Sequence, residues 1–480
     1  MRRKFVGICA LAVASMLMIA GCGDKKQMDY NVSNFEGDSV KEYDSTGEVG
    51  KEAGDSDASA VTESSNEQNA LAKRLGIPDS VSEDIDTAGT GLDEIKIEAA
   101  EVKVPGGDKM YTKKYSLLGY TNEDKEKLLR AMFDEETGVH NAPSETTMTE
   151  QYVDIILERK DDQLDLSADD FIGKINGEVF LAHFLSPGWS NKYGIQVYSA
   201  FGEEIPDDMK AAQAAHVTYA VAYEGGDDLL DDDEKEALDS LKDVDNKCSL
   251  SRDDAKLKAL DYFDKLGVWD VKDYSIIDTY REYRDNEYNI IQTDKYGYFI
   301  DFIPAVNGQP VYQPDATELD TLRAKNNDED SIDPYYVAEC TSYSIGIDDK
   351  GVSSFSFTWP KKSDDEVHEV TNIMSWDEAL DSLKKAVPGH FEGYDGYSSI
   401  KFDDVRLTYF MTRTDENAYE VIPVYVFAQN SSYEGEYGDA TPNPVQLIML
   451  DARDGQEVSI VQDESRVGYT PDQGEDDSVE

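Results

Sequence analysis

The chain has 480 residues, 39% of them hydrophobic and 10% aromatic, which is enough for sizeable cores spread over two to four domains. Asp and Glu total 101 against 45 Lys and Arg, a formal charge of −56, and this excludes nucleic-acid binding, which needs cations to displace counterions. Four cysteines exclude a disulfide-dense scaffold.

The first residues carry an address. Arg2, Arg3 and Lys4 form a positive start, and the apolar run from Phe5 to Ala20 is too short for a stop-transfer helix, so it reads as a secretory core. It ends in Ile19-Ala20-Gly21-Cys22, which resembles a bacterial lipobox. The expectation is a signal peptide over 1–21 and diacylglyceryl and palmitoyl chains on Cys22. The product is a lipoprotein outside the cytoplasm, with the bilayer of the cell membrane as its first partner. Loss of Arg2, Arg3 and Lys4 takes the mature charge from −56 to −59. Residues 22–70 are the anchor and an acidic tether: 23–70 is rich in Gly, Ser, Asp and Glu and too poor in apolar period to offset its ordering entropy. As a flexible coil it spans roughly 35–40 Å.

Residues 71–245 read as an α+β N-terminal domain. A short helix at Leu71–Leu75 is stopped by Gly76 and Pro78; alternation marks strands at Ile95–Ala99, Val102–Val104 and Met110–Leu117. Thr121 and Asp124 have capping-box spacing ahead of a helix faced by Leu128, Leu129, Met132 and Phe133. Tyr152, Ile155 and Ile156 mark another helix. Phe171–Phe184, turning at Asn176-Gly177, and Gly194–Phe201 read as strands. Asp227, Asp228, Asp231, Asp232, Asp233 and Glu234 then form an acidic cluster. Its hard oxygens suit extracellular calcium, but it lacks EF-hand grammar, and the reading preferred here is a solvated helix start favoured by the helix dipole.

The second half contains a repeat. Ser251 and Ser375 each stand three residues before an acid, Asp254 and Glu378, an offset of 124. Leu257, Leu260 and Phe263 follow the first at helical spacing; Leu380, Leu383 and Val387 follow the second. Tyr298–Pro304 aligns with Tyr419–Tyr425 at an offset of 121, and Ile345–Gly351 with Ile448–Gly455 at 103 to 104. These offsets divide the rest into modules over 246–365 and 366–462, with a disordered acidic tail over 463–480. The polar stretch ending at Asp245 predicts a boundary beyond which 249–461 folds alone. Cys248 and Cys340, 92 positions apart, either pair outside the cytoplasm or stay as two buried thiols; a bridge would contribute roughly 4–5 kcal/mol in the chain-entropy account.

A helix, a strand reading Val421-Ile422-Pro423-Val424-Tyr425-Val426-Phe427 and a last strand ending Leu450-Asp451-Ala452-Arg453-Asp454-Gly455 resemble the PepSY-like module. Tandem modules of this kind occur in lipoproteins of Gram-positive bacteria and in YycH/YycI-type regulators. The resemblance implies a helix packed on an antiparallel sheet, no catalytic residues and no cofactor, and binding that modulates a peptidase or a sensor complex at the cell surface. Enzyme motifs are absent from the sequence: no His-Glu-x-x-His, no Gly-x-Ser-x-Gly, no Walker loop. No metal centre is expected from five scattered histidines, and His183 reads as a satisfied strand histidine. Aromatic strand residues Tyr298, Phe302, Tyr425 and Phe427 are the candidates for partner contact. A solute- or carbohydrate-binding lipoprotein serving a transporter is the second reading, with tyrosines and tryptophans lining the ligand. Anchoring is checked directly: Cys22→Ala should move the protein from the membrane fraction to the medium or leave it as uncleaved precursor. Equal labelling of wild type and variant by a fatty-acid analogue would sink the lipobox.

Overall fold

A computed structural model describes residues 69–144, 147–159, 163–185, 193–201, 205–221, 241, 244–268, 270–313, 341–391, 399–415, 418–429 and 447–458. These residues form a mixed helix-and-sheet protein with large sheets and few helices. Cys22, Cys340, the acidic cluster from Asp227 to Glu234, the signal, the tether up to residue 68 and the tail lie outside them, while the last two residues of the expected tether, Asn69 and Ala70, begin the first helix.

The first half opens with α1 (Ala70–Leu75), capped by the Asn69 side chain and ended by Gly76 at φ 71°. Four strands follow: β1 (Val81–Ile85), β2 (Glu94–Ala99), β3 (Val102–Lys103) and β4 (Met110–Leu117). Thr121 accepts from the Asp124 amide at the start of α2 (Asn122–Met132), as its spacing predicts. After β5 (Val139–Asn141) comes α3 (Glu150–Leu157), which buries Val153, Ile156 and Leu157 and leaves Tyr152 and Ile155 exposed. The hairpin of β6 (Asp170–Ile175) and β7 (Glu178–Leu185) turns at Asn176 and Gly177, at φ 53° and 84°, the positive pair that a two-residue turn matched to strand twist requires. Next come β8 (Gly194–Ser199), α4 (Asp207–Ala211) and β9 (His216–Val221).

The second half runs α5 (Arg252–Leu266), β10 (Val271–Arg284), β11 (Ile290–Val306), β12 (Gln309–Tyr312), β13 (Ser342–Asp348), β14 (Gly351–Thr358) and β15 (Lys361–Val370). It closes with α6 (Trp376–His390), β16 (Ser399–Phe402), β17 (Asp404–Asp415), β18 (Ala418–Ala428) and β19 (Leu447–Asp451).

Among the described residues, nine strands form one antiparallel sheet in the order β9-β10-β11-β13-β14-β8-β7-β6-β5. A second sheet is built on β15-β4-β18-β17, with β19 beside β4 on one edge of β18, and β3 and β12 both parallel to β17 on its far edge. The β11–β12 hairpin joins the two, and β1-β2-β16 make a small third sheet. These pairings cross the divisions expected from the sequence. Five strands of 71–245 pair with strands of the second half: β9 with β10, β8 with β14, β4 with β15 and β18, β3 with β17 and β2 with β16. Strand β15 itself runs through the 365/366 boundary.

The repeat survives as geometry, with a corrected register. Each unit is a capped helix, a long hairpin and a third strand that pairs with the hairpin's second strand: α5, β10, β11, β13 and α6, β17, β18, β19. Ser375 and Glu378 form a reciprocal capping box; Ser251 Oγ accepts from the Asp254 amide and donates to Asp254 Oδ2. Tyr298 hydroxyl donates to the Leu250 carbonyl at 2.9 Å, and Tyr425 hydroxyl to the Met374 carbonyl at 2.9 Å, in each case the residue before the helix cap. Tyr298 pairs with Ile347, and Tyr425 with Leu450. The second strands therefore correspond at an offset of 127, and the alignment of Tyr298 with Tyr419 is six residues out of step. Both strands are so rich in aromatic and β-branched residues that sequence similarity alone slides along them.

Each helix covers one sheet face. Helix α5 buries Ala255, Ala259, Tyr262, Phe263 and Leu266 and leaves Leu257 60% exposed, so Leu257 is not on the core face. Phe263 stacks edge-on against Phe302 at 5.0 Å and Phe357 at 5.4 Å. Helix α6 sets Trp376 against Tyr425 at 6.3 Å and Phe427 at 6.2 Å. The seam between the sheets is polar. Tyr343 hydroxyl takes the Lys361 amide and donates to the Lys361 carbonyl, both at 2.9 Å, and the buried Lys361 ammonium lies 4.0 Å from the Tyr419 ring centre. Lys113 of β4 pairs with Asp270 at the foot of β10.

The tyrosine anchors can be tested singly. Tyr298→Phe should cost about 1 kcal/mol and Tyr425→Phe, whose hydrogen bond is the more buried of the two, up to about 2 kcal/mol, because each leaves a carbonyl without its donor. Thermal melts of the two variants that overlay the wild type would show that the hydroxyls do not hold the helix starts.

Candidate binding face

Side chains alternate across a sheet, so one strand register assigns whole rows to opposite faces. In the nine-stranded sheet one such row is Ile276, Ile300, Ile345, Phe355, Val197, Ala182 and Phe171, and it forms the core under α5 and α2. The adjacent row, on the opposite face, is Ser275, Asp301, Ser344, Ser356, Gln196, His183 and Asp170. It is an unbroken polar line across seven strands. Six interstrand steps make it about 29 Å long.

Asp301 sits within this line. Ser275 Oγ donates to its Oδ2 at 2.7 Å and Ser344 Oγ to its Oδ1 at 2.6 Å, from the strands on either side. Burial pushes the Asp301 carboxyl above the ordinary carboxylate range, and the two serine donors oppose that only in part. At the far end, His183 Nδ1 meets Asp170 Oδ1 at 2.7 Å; that hydrogen bond holds the imidazole above its ordinary value. His183 is thus a satisfied strand histidine, as its sequence context predicts. The next row on this face, Ile277, Phe299, Gly346, Ser354, Tyr198 and Leu181, is apolar or small. Helix α3 packs over its Leu181 end with Ile172 and Tyr198. Among the described residues, no apolar cluster covers the row at β10, β11, β13 and β14, where Ser275, Asp301, Ser344 and Ser356 are half-buried.

The second unit uses the same positions differently. The counterparts of Asp301 and Ser344 are Ala428 and Leu447, which are buried with Val424, Val426 and Met449 in an apolar cluster. Asp404, the counterpart of Ser275, is buried and paired with Arg406. One copy of the unit has therefore closed this face with hydrocarbon, and the other has lined it with the Ser275 and Ser344 hydroxyls and the Asp301 carboxyl.

The residues expected to touch a partner are elsewhere. Tyr298 and Phe302 lie under α5, Tyr425 and Phe427 under α6, and none is more than 6% exposed. They are core residues, a correction that follows from alternation: in each strand the aromatic row faces the helix. The signal that sequence reading missed is serine at every second position, Ser342-x-Ser344 and Ser354-x-Ser356, beside an acid set among aromatics at Asp301. Cys248 is buried, and its thiol donates to Asp349 Oδ1 at 3.5 Å; burial first, then the Asp349 charge, pushes the thiol up. Among the described residues, no group of three or more His, Cys, Asp or Glu side chains could hold a metal ion. A cavity of about 20 Å³ lies where β3 gives way to β12 along β17, between Lys103, Gln309, Arg406 and Thr408; that is room for one water.

No protein-family model matches the chain, and no curated protein matches it. It is similar to a solved structure, an uncharacterized protein from Eubacterium rectale, at 16% identity and a TM-score of 0.33, over 80% of this chain and 94% of that one.

The environment of Asp301 has a pH signature. Its folded value lies above the unfolded 3.8, so the folded chain holds this proton after the unfolded chain has lost it. This group's contribution therefore favours folding at low pH and is lost as pH rises from 3.8 through the folded value. Asp301→Asn removes the titration, so the melting temperature of the variant relative to wild type should climb between pH 3.5 and pH 7. A difference that is flat across that range would show that Asp301 is not desolvated.

Proposed function

We propose that this chain is a lipid-anchored lipoprotein outside the cytoplasm that binds and modulates a protein partner at the cell surface, without catalysing a reaction. The single observation that carries the reading is the polar row from Ser275 to Asp170: among the described residues, no apolar cluster covers its face at β10 to β14, whereas the second copy of the unit buries the same face in hydrocarbon. The lipobox-like start and the tether supply location and reach. The capped helix, hairpin and third strand, used twice, support kinship with PepSY-like modules. Hydroxyls with Tyr198 close by would also suit a glycan, which keeps the solute-binding reading as the alternative.

The face is tested by filling it. Ser344→Trp and Ser356→Trp put bulk on the row, while Leu257→Trp alters an exposed position of α5 on the other side of the sheet. Crosslinking in intact cells should recover a protein with the wild type and with Leu257→Trp, and lose it with both serine variants. The same proteins recovered from all four chains would refute the face as the binding surface. Saturable thermal stabilisation by an oligosaccharide that both serine variants abolish would favour the glycan reading.

A further inference from the structure

The carboxylates on the strands around Asp301 each face a cation. Asp273 meets Lys256 at 2.7 Å, Asp278 lies 3.6 Å from both Lys295 and Arg252, and Asp348 lies 3.7 Å from Arg281. In the other sheet Asp404 pairs with Arg406 and Asp451 with Arg453. Asp301 differs from all of them. It is set into the middle of β11, and its partners among the described residues are two serine hydroxyls, with no cation within ion-pair distance. Taking a carboxylate out of water without a counter-charge is costly, so such a group is retained at a sheet face when something else completes it.

We infer that Asp301 is the anchor of the binding face and receives a lysine or arginine side chain from an extended, basic segment of a partner protein. The inference rests on the binding role proposed above for this face.

Three observations fix the class of occupant. The chain carries −56, so its long-range field gathers basic partners and repels acidic ones. The row runs perpendicular to the strands for about 29 Å, the length of eight or nine extended residues at about 3.3 Å each, with serine hydroxyls and Gln196 along it to meet backbone amides and carbonyls. Across the strands the neighbours of Asp301 are small, Ser275 and Ser344 beside it and Gly346 one row on, while the buried Phe299 stands beside it along β11, so a long side chain would reach the carboxyl over the serines. A bare metal ion fits poorly, because one carboxyl and two hydroxyls fall short of the six to eight oxygens that calcium takes.

The test uses the full chain and a fluorescent octalysine peptide at physiological salt, where non-specific attraction between exposed charges is screened. Asp165→Asn is the charge-matched control, since Asp165 is exposed and lies off the row. Asp301→Asn should weaken octalysine binding about tenfold and Asp165→Asn less than twofold. A neutral octaserine peptide should not distinguish any of the chains. Equal weakening by the two asparagine variants would overturn the anchor and leave only bulk charge attraction. Folding of Asp301→Asn is verified by its melt, since removal of a carboxyl whose burial disfavours the charged form is expected to raise stability near neutral pH. The two proposals fail separately. If Ser356→Trp abolishes partner capture in cells while Asp301→Asn leaves both capture and octalysine binding intact, the face binds and Asp301 is not its anchor. If Ser356→Trp changes nothing in cells, the binding role of the face falls, whatever octalysine does.

Discussion

The pairing of β8 with β14, from Gly194 opposite Thr358 to Tyr198 opposite Ser354, is the contact on which the rest depends. It is made of backbone hydrogen bonds between chain segments more than 150 residues apart. Without it the meander of β5 to β8 and the meander of β10 to β14 would each end in an open edge, with a line of unpaired amides and carbonyls. With it they become one sheet, in a register that places Gln196, His183 and Asp170 in line with Ser356, Ser344 and Asp301. A slip of one residue would turn His183 and Gln196 into the core and bring Phe184 and Val197 out, so burial of the apolar row enforces the polar one. Gly194 is part of the fit: a Cβ there would stand 2.9 Å from the Phe357 carbonyl oxygen.

The same edge problem is solved again in the second sheet. Strands β4 and β19 share one edge of β18, and β3 and β12 share the far edge of β17. Segments of the first half thus serve as the edges of units in the second. The expected independent domain over 71–245 is, in its strands, largely a supplier of edges, and the seam is fixed by Lys361, Tyr343 and the Lys113–Asp270 pair. A duplicated unit of one helix and three strands buries one face well and leaves the other face and both edges to be dealt with. The two copies have taken different routes, one to hydrocarbon and one to a polar row.

Much of the local structure is legible in the amino-acid sequence. Caps, turns and alternation locate the α1 stop at Gly76, the Thr121 start, the Asn176-Gly177 hairpin and both repeat helices, because those signals act within four or five residues. Helical spacing misplaces the face of α5 at Leu257, where two alanines rather than leucines meet the sheet; the small side chains let the helix approach β11 and β13 closely. Register escapes sequence reading for a similar reason. In Val421–Phe427 nearly every residue is buried, and a run buried on both faces carries no period by which to place it.

The polar face of the nine-stranded sheet shows the division most clearly. By itself the sequence determined the charge, the lipobox-like address, the two capped helices and the alternating serines of Ser342 to Ser344 and Ser354 to Ser356. Alternation says that those serines share a face with one another, since that depends only on the two-residue period of a strand. It cannot say which strands lie side by side. That was decided by long-range pairing, where Asp301 acquired Ser275 and Ser344 as its neighbours, and Tyr298, Phe302, Tyr425 and Phe427 were committed to the cores. Hydrogen-bond ladders between distant segments are selected by burial of the whole apolar face at once, and no local window of sequence contains that sum.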